Sequence, residues 1–265
     1  MSFTQTTLTR VGKPVHRLGL ALNYGLAPQD LEAAVERGPN YLFWTQSMGK
    51  MTDPVKRVLA QDRERFVLAT GPTLGFFAGG ITRACERLLK RLDTEYIDVF
   101  HLFWVGKSSA LTEGTLEALV KLRESGKCRA IAVSIHDRPR AGKLAADSPL
   151  DMLMVRYNAA HPGAERDIFP HLHPDKQLVS YTSTAWKKLL SAPSGWTGRV
   201  PTAMDCYRFG LSAPQIAVTL CAPASLSELD QNLAALDEGP LSEHEQAFMR
   251  EFGRAAHSVG MRDSL

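Results

Sequence analysis

The sequence predicts an α/β fold: a single (β/α)8 barrel over residues 1–265, with an N-terminal β-hairpin and C-terminal helices. Three observations predict it. Short apolar, strand-like runs alternate with helical ones eight times, with no linker or low-complexity break, the pattern of parallel strands joined by crossover helices. The stretch from Ile81 to Ser134 holds two such units back to back. It has Ala84, Leu88, Leu89 and Leu92 at helical spacing, the run YIDVFHLF, a second helix capped by Thr112 and closed by Gly126, then CRAIAVS. Finally, the chain has 265 residues, and a closed barrel of this kind needs about 250. No GxGxxG follows any strand, which counts against an open dinucleotide-binding sheet.

Taken in order, TTLTRVGKPVHRLGLAL reads as two short strands around a Gly-Lys-Pro turn, the second running on into the first barrel strand at Leu18 to Leu22. Pro28 begins a helix that turns Leu31, Ala34 and Val35 inward and stops at Gly38. The second barrel strand is Asn40 to Trp44. Asp53 and Pro54 open a helix carrying Val55, Val58 and Leu59, and the third strand is Phe66 to Thr70. A loop rich in Gly and Phe, Gly71 to Gly80, leads to the fourth strand (Tyr96 to Phe103) and the fifth (Cys128 to Ser134). Arg138 to Ala146 is a short basic helix, Asp151 to Asn158 the sixth strand, and GAERDIFPHL a helix interrupted at Pro170. Gln177 to Tyr181 is the seventh strand, residues 182–200 the longest irregular stretch, Thr202 to Leu211 a helix and Gln215 to Leu220 the eighth strand. Helices around Ser225 to Leu236 and Ser242 to Ala256 close the chain.

The composition, 44% hydrophobic and 22% charged, is that of a soluble globular protein. A net charge of +3 is too small to argue for nucleic acid, and no apolar run approaches the roughly 20 residues of a membrane span. The segment MSFTQTTLTR has no apolar core of the kind a secretory signal carries, so none is expected. Cys85, Cys128, Cys206 and Cys221 are far apart and form no CxxC, which points to reduced thiols in a cytoplasmic protein and to no metal site.

Seven motifs in order carry a resemblance: RLGLAL, GPNYLFWTQSMG, the run from Ile81 through YIDVFHLF, LVKLRESGKCRAIAVS, VRYN, VSYTST and SELDQNLAAL. Over nearly its full length the chain resembles the aldo-keto reductases, which implies their TIM barrel and a site at the C-terminal ends of the strands. In that family a tyrosine donates a proton to the substrate carbonyl, a lysine and an aspartate tune it, a histidine orients the substrate and NADPH supplies hydride. Carried over by position, the aspartate falls on Phe43, the tyrosine on Met48, the lysine on Gly71 and the histidine on Phe103. The neighbours Trp44, Ser47, Thr70 and Trp104 hold no acid or base. Tyr24 and Tyr41 are the nearest tyrosines. Tyr41 lies one layer deeper, and with no lysine beside it its phenol is expected to keep an acidity near about 10. The resemblance therefore implies a barrel without the family's proton relay, a pseudoenzyme.

The cofactor positions are partly kept. The pair that holds the nicotinamide amide reads Ser134-Ile135, and its glutamine is Met154. Tyr181 stands where an aromatic stacks on the nicotinamide, followed by Thr182-Ser183-Thr184 at the pyrophosphate. Ala222-Pro223-Ala224 replaces the arginine-bearing triplet that selects the 2′-phosphate, and Asn158 and Asn232 match family positions. Binding of NADP or NAD is thus implied, with fewer charge-assisted bonds.

Outside these positions, His136 with Asp137, Arg138 and Arg140 is a candidate acid/base or anion-binding cluster. His101 is expected inside the barrel as a satisfied core histidine, and Arg156 and Asn158 end the sixth strand near His161. His171-x-His173 lacks a third metal ligand. Phe43, Trp44, Met48, Trp104 and Met154 together predict an apolar mouth that is either a plug or a seat for a flat apolar ligand. Three functions are compatible with this reading. The first is a small-molecule binding protein, NAD(P)H among its candidate ligands, without carbonyl reductase activity. The second is an NAD(P)H-dependent oxidoreductase with His136 or water as proton donor. The third is a non-redox isomerase or lyase built on His136, Arg156 and Asn158.

Overall fold

In the computed structural model, which describes residues 2–73, 78–106 and 111–258, Gln5–Leu8 (β1) and Lys13–His16 (β2) form the antiparallel hairpin. Its turn is not at Gly-Lys-Pro but at residues 9–12, where Gly12 takes φ 75°, a conformation glycine adopts without strain. Nor does β2 run on into the barrel. Arg17 interrupts it, its guanidinium donating to the carbonyls of Leu211, Ile216 and Ala217, and the barrel begins at Leu18–Ala21 (β3).

Tyr41–Phe43 (β4), Val67–Thr70 (β5), Ile97–Val105 (β6), Cys128–Ile135 (β7), Met152–Arg156 (β8), Gln177–Tyr181 (β9) and Ile216–Cys221 (β10) follow. All pair in parallel in chain order, and β10 closes on β3. The strands read as near-continuous apolar runs because both faces are covered, one by the barrel interior and one by helices. Those helices are Leu31–Glu36 (α1), Thr52–Gln61 (α2), Ile81–Leu92 (α3), Glu113–Glu124 (α4), Arg138–Ala146 (α5), Ala164–Asp167 (α6), Ala203–Ser212 (α7), Leu226–Asp237 (α8) and Glu243–Ser258 (α9). Side-chain caps fix several starts: Thr112 accepts from Thr115 N–H, Asp137 from Arg140 N–H and Ser225 from Glu228 N–H, and Thr202 with Asp205 forms a reciprocal box. Among the described residues, no helix is long and apolar enough to cross a membrane. All four cysteines are buried and unpaired.

The N-terminal end of the barrel is closed by an ionic cluster under the hairpin. Asp98, fully buried on β6, receives Lys13 Nζ at 3.0 Å, Arg63 at 2.7 Å and the Leu68 N–H at 2.9 Å. Lys13 also donates to the carbonyls of Arg63 and Phe66. The Tyr96 ring lies between Arg63 and Arg129, 3.8 and 4.3 Å from its centroid, and its hydroxyl donates to Glu64, which also pairs with Arg129. Burial pulls the Lys13 ammonium below its ordinary pKa, and Asp98 works against that shift.

Candidate functional site: the mouth of the barrel

The other end is packed with apolar side chains. Phe43 ends β4 and Phe103 nears the end of β6; their rings meet edge to face, centroids 5.5 Å apart. Met48 curls back over β4, its sulfur accepting from Thr45 N–H. Met154 is buried on β8, and Trp104 stands 56% exposed on the rim.

Gly71 ends β5 beside β6. A Cβ built there would sit 1.8 Å from the carbonyl oxygen of His101, so any side chain at this position collides with backbone. The cause is the end of β6. Its register with β7 shifts between Leu102 and Val105, Trp104 takes φ 56°, and the Trp104 N–H donates to Ser134 Oγ instead of a strand carbonyl. Ser134 thus supports the bulge.

His101 is fully buried, as expected, but it is not satisfied. Neither ring nitrogen has a partner among the described residues, and the imidazole stacks on Phe103 at 5.4 Å with an 8° interplanar angle. Burial pushes its pKa down to about 3, so the ring is neutral. Tyr41 also departs from expectation. Its hydroxyl is buried without a partner, and burial drives its pKa well above the ordinary tyrosine value.

The polar groups of the mouth gather on the opposite half, at the ends of β7, β8 and β9. Tyr181 Oη lies 3.2 Å from His136 Nδ1 and 3.4 Å from Nε2, with the rings perpendicular. The hydroxyl therefore meets the imidazole edge between its nitrogens. Arg156 is the register partner of Tyr181, and Ile135, just before His136, pairs with Val155, just before Arg156. Burial and the Arg156 charge lower the His136 pKa; burial raises that of Tyr181 and Arg156 opposes it. The sequence gives no sign of the His136–Tyr181 contact, because the two residues stand 45 positions apart on strands separated by β8.

The remaining candidate residues divide. Asn158 is fully buried and spent on the scaffold: it donates to Thr182 O and accepts from the N–H groups of Ala160 and His161. Thr182, at φ 57°, donates its hydroxyl to Tyr181 O. Ser183 Oγ and Asn232 Nδ2 are buried without partners. Of the six non-glycine residues with positive φ among those described, five lie at the mouth: Trp104, Thr182, Ala185, Trp186 and Lys187. Backbone strain of this kind, about 1–3 kcal/mol per residue, collects at functional sites.

A family model described as the aldo/keto reductase family matches residues 25–192. The aldo-keto reductase YhdN of Bacillus subtilis is 31% identical over 96 residues, 36% of this chain and 29% of that protein. The methylglyoxal reductase YeaE of Escherichia coli is 28% identical over 178 residues, 60% of this chain and 61% of that protein. The chain therefore spans less than two thirds of either relative's length in these matches. Among solved structures, an aldo-keto reductase of Bacillus halodurans in its holo form superposes with a TM-score of 0.79 at 20% identity, over 98% of this chain and 99% of that one. An aldo/keto reductase of Klebsiella pneumoniae in complex with NADP and acetate gives 0.75 at 22%, over 96% of each chain. The structural likeness shows the same barrel, and the family model, covering well over half of the chain, shows the ancestry: this protein belongs to the aldo/keto reductase family.

Proposed function

We propose that this barrel binds a small molecule at its mouth and does not reduce carbonyls by the family's tyrosine-based proton transfer. One observation carries the reading: the strand end where the family places its lysine is Gly71, and the His101 carbonyl occupies the space of any side chain there. With Phe43, Met48 and Phe103 at the other three positions, none of the four relay positions holds a group that gives up or takes a proton near neutral pH. The deeper Tyr41 does not substitute, since its hydroxyl is buried and its acidity lowered.

The residues fit one end of a nicotinamide dinucleotide and not the other. Thr182, Ser183 and Asn232 stand where the family resemblance implies the pyrophosphate and adenine, and Ser183 and Asn232 each have a buried polar atom without a partner among the described residues. At the nicotinamide position Met154 offers no hydrogen bond, Ser134 already holds the Trp104 N–H, and the Arg156 charge repels an oxidised, cationic ring. NADPH supplies hydride in the family, but this chain's residues do not fit the ring that carries it. Calorimetric titration tests the reading: NADH and ADP-ribose, which lacks nicotinamide, bind equally well to within a few-fold. NADH binding a hundredfold tighter than ADP-ribose contradicts it.

The His136–Tyr181 contact favours a second reading, an NAD(P)H-dependent oxidoreductase in which Tyr181 donates the proton and His136 restores it. It requires that Tyr181→Phe abolish an aldehyde-dependent oxidation of NADPH seen in the wild type. The non-redox isomerase or lyase has less support, because Asn158, one of its three residues, is committed to the backbone.

A further inference from the structure

Arg156 is the anomaly of the mouth. It is half-buried at the end of β8, yet among the described residues no carboxylate lies within ion-pair distance and no acceptor takes its N–H groups. Acids on the connections and helices that follow β7, β8 and β9 are engaged elsewhere. Asp137 caps α5, Glu165 holds Tyr157 and Arg250, Asp167 pairs with Arg138 and Arg166, and Asp205 pairs with Arg199. A partly buried guanidinium without a counter-ion is unusual, because desolvating it costs free energy that a paired anion offsets. Its two neighbours, His136 and Tyr181, carry an imidazole and a hydroxyl that donate hydrogen bonds to an oxyanion as readily as to each other. On the other half of the mouth is the apolar floor of Phe43, Phe103 and Met48, with Met154 beside Arg156 on β8 and the Trp104 indole exposed on the rim.

Resting on the reading above, that the mouth binds a small molecule, we propose that its ligand is a monoanion with a flat apolar body, an aromatic carboxylate in the simplest case. The carboxylate is held by Arg156 with His136 and Tyr181, and the ring lies over Phe43 and Phe103. The unpaired Arg156 guanidinium calls for a negative charge on the ligand. The planar fork of a guanidinium suits a carboxylate's two oxygens, and edge-to-face aromatics suit a ring. This subsite lies on β7, β8 and β9, on the far side of the mouth from the four positions of the family's proton relay on β4, β5 and β6 and the loop after β4.

The test is a titration of the full chain with benzoate and, as a neutral isostere, benzyl alcohol, followed by tryptophan fluorescence and calorimetry. The expected result is saturable benzoate binding at least tenfold tighter than benzyl alcohol. Arg156→Gln should weaken benzoate about tenfold to a hundredfold and leave benzyl alcohol unchanged, and Arg156→Lys should recover part of the loss. Unchanged melting temperatures exclude misfolding as the cause. The proposal is overturned if benzoate and benzyl alcohol bind alike, if Arg156→Gln leaves benzoate untouched, or if the wild type binds no benzoate at millimolar concentration. Those outcomes leave the loss of the proton relay standing. Catalytic turnover of NADPH with an aldehyde overturns that loss instead and leaves the benzoate result standing.

Discussion

The two ends of this barrel handle polar groups in opposite ways. At the N-terminal end Lys13, Arg63 and Arg129 face Asp98 and Glu64, and the Tyr96 ring fills the space between cations. At the C-terminal end His101, Thr70 and Ser183 have buried polar atoms with no partner among the described residues, Arg156 has no counter-ion among them, and the backbone is strained at Trp104 and from Ala185 to Lys187. Satisfied networks hold a fold in one arrangement, whereas unsatisfied groups and strain cost stability and persist where the surroundings over-determine them. The contrast marks the hairpin end as the stabilising one and supports the proposal that the mouth recognises a ligand.

The comparison breaks most visibly at Asp98. Asp98→Ala leaves the buried Lys13 with only the exposed Glu64, 3.7 Å away, and Arg63 without its carboxylate, and should cost about 3–5 kcal/mol in denaturant unfolding; a loss within about 1 kcal/mol would show the cluster to be hydrated and dispensable. Gly71→Ala comes next. Its methyl group meets backbone, not a movable side chain, so the end of β6 must shift, at about 1–3 kcal/mol. An unchanged melting temperature would mean that the bulge moves freely and that a lysine is sterically accessible there. His101→Leu runs the other way. Removing two orphaned nitrogens from an apolar layer should stabilise by about 1 kcal/mol, and destabilisation would reveal a partner for the imidazole. The smallest effect is spectroscopic. Arg156 helps to hold the His136 pKa down, so Arg156→Gln makes protonation easier, and the NMR titration midpoint of His136 moves up. A midpoint that stays put would separate the two residues and weaken the anion subsite.

Much of the scaffold was legible in the sequence, because its signals are periodic: eight alternating units, helix caps at Thr112 and Ser225, and a length that suits one barrel. The content of the four relay positions was also legible, by counting along GPNYLFWTQSMG and YIDVFHLF. Features made by the approach of distant backbone or side chains were not. Gly71 reads as a loop glycine until the His101 carbonyl is seen beside it. His101 reads as a satisfied core residue because a sequence does not show where partners are missing. Arg156 reads as a strand-end arginine like many others, since its lack of an acid becomes visible only once every nearby acid has a partner. The hairpin turn was displaced because Gly-Lys-Pro and Gly12 in a left-handed turn give overlapping local signals.

The central claim, that the mouth no longer transfers a proton to a carbonyl, is tested most directly in a single turnover. The protein is mixed with one equivalent of NADPH per site and excess methylglyoxal, and the absorbance of the reduced nicotinamide is followed. The account predicts decay no faster than in a protein-free control. An exponential loss of one equivalent of NADPH, with the matching alcohol formed, would contradict it.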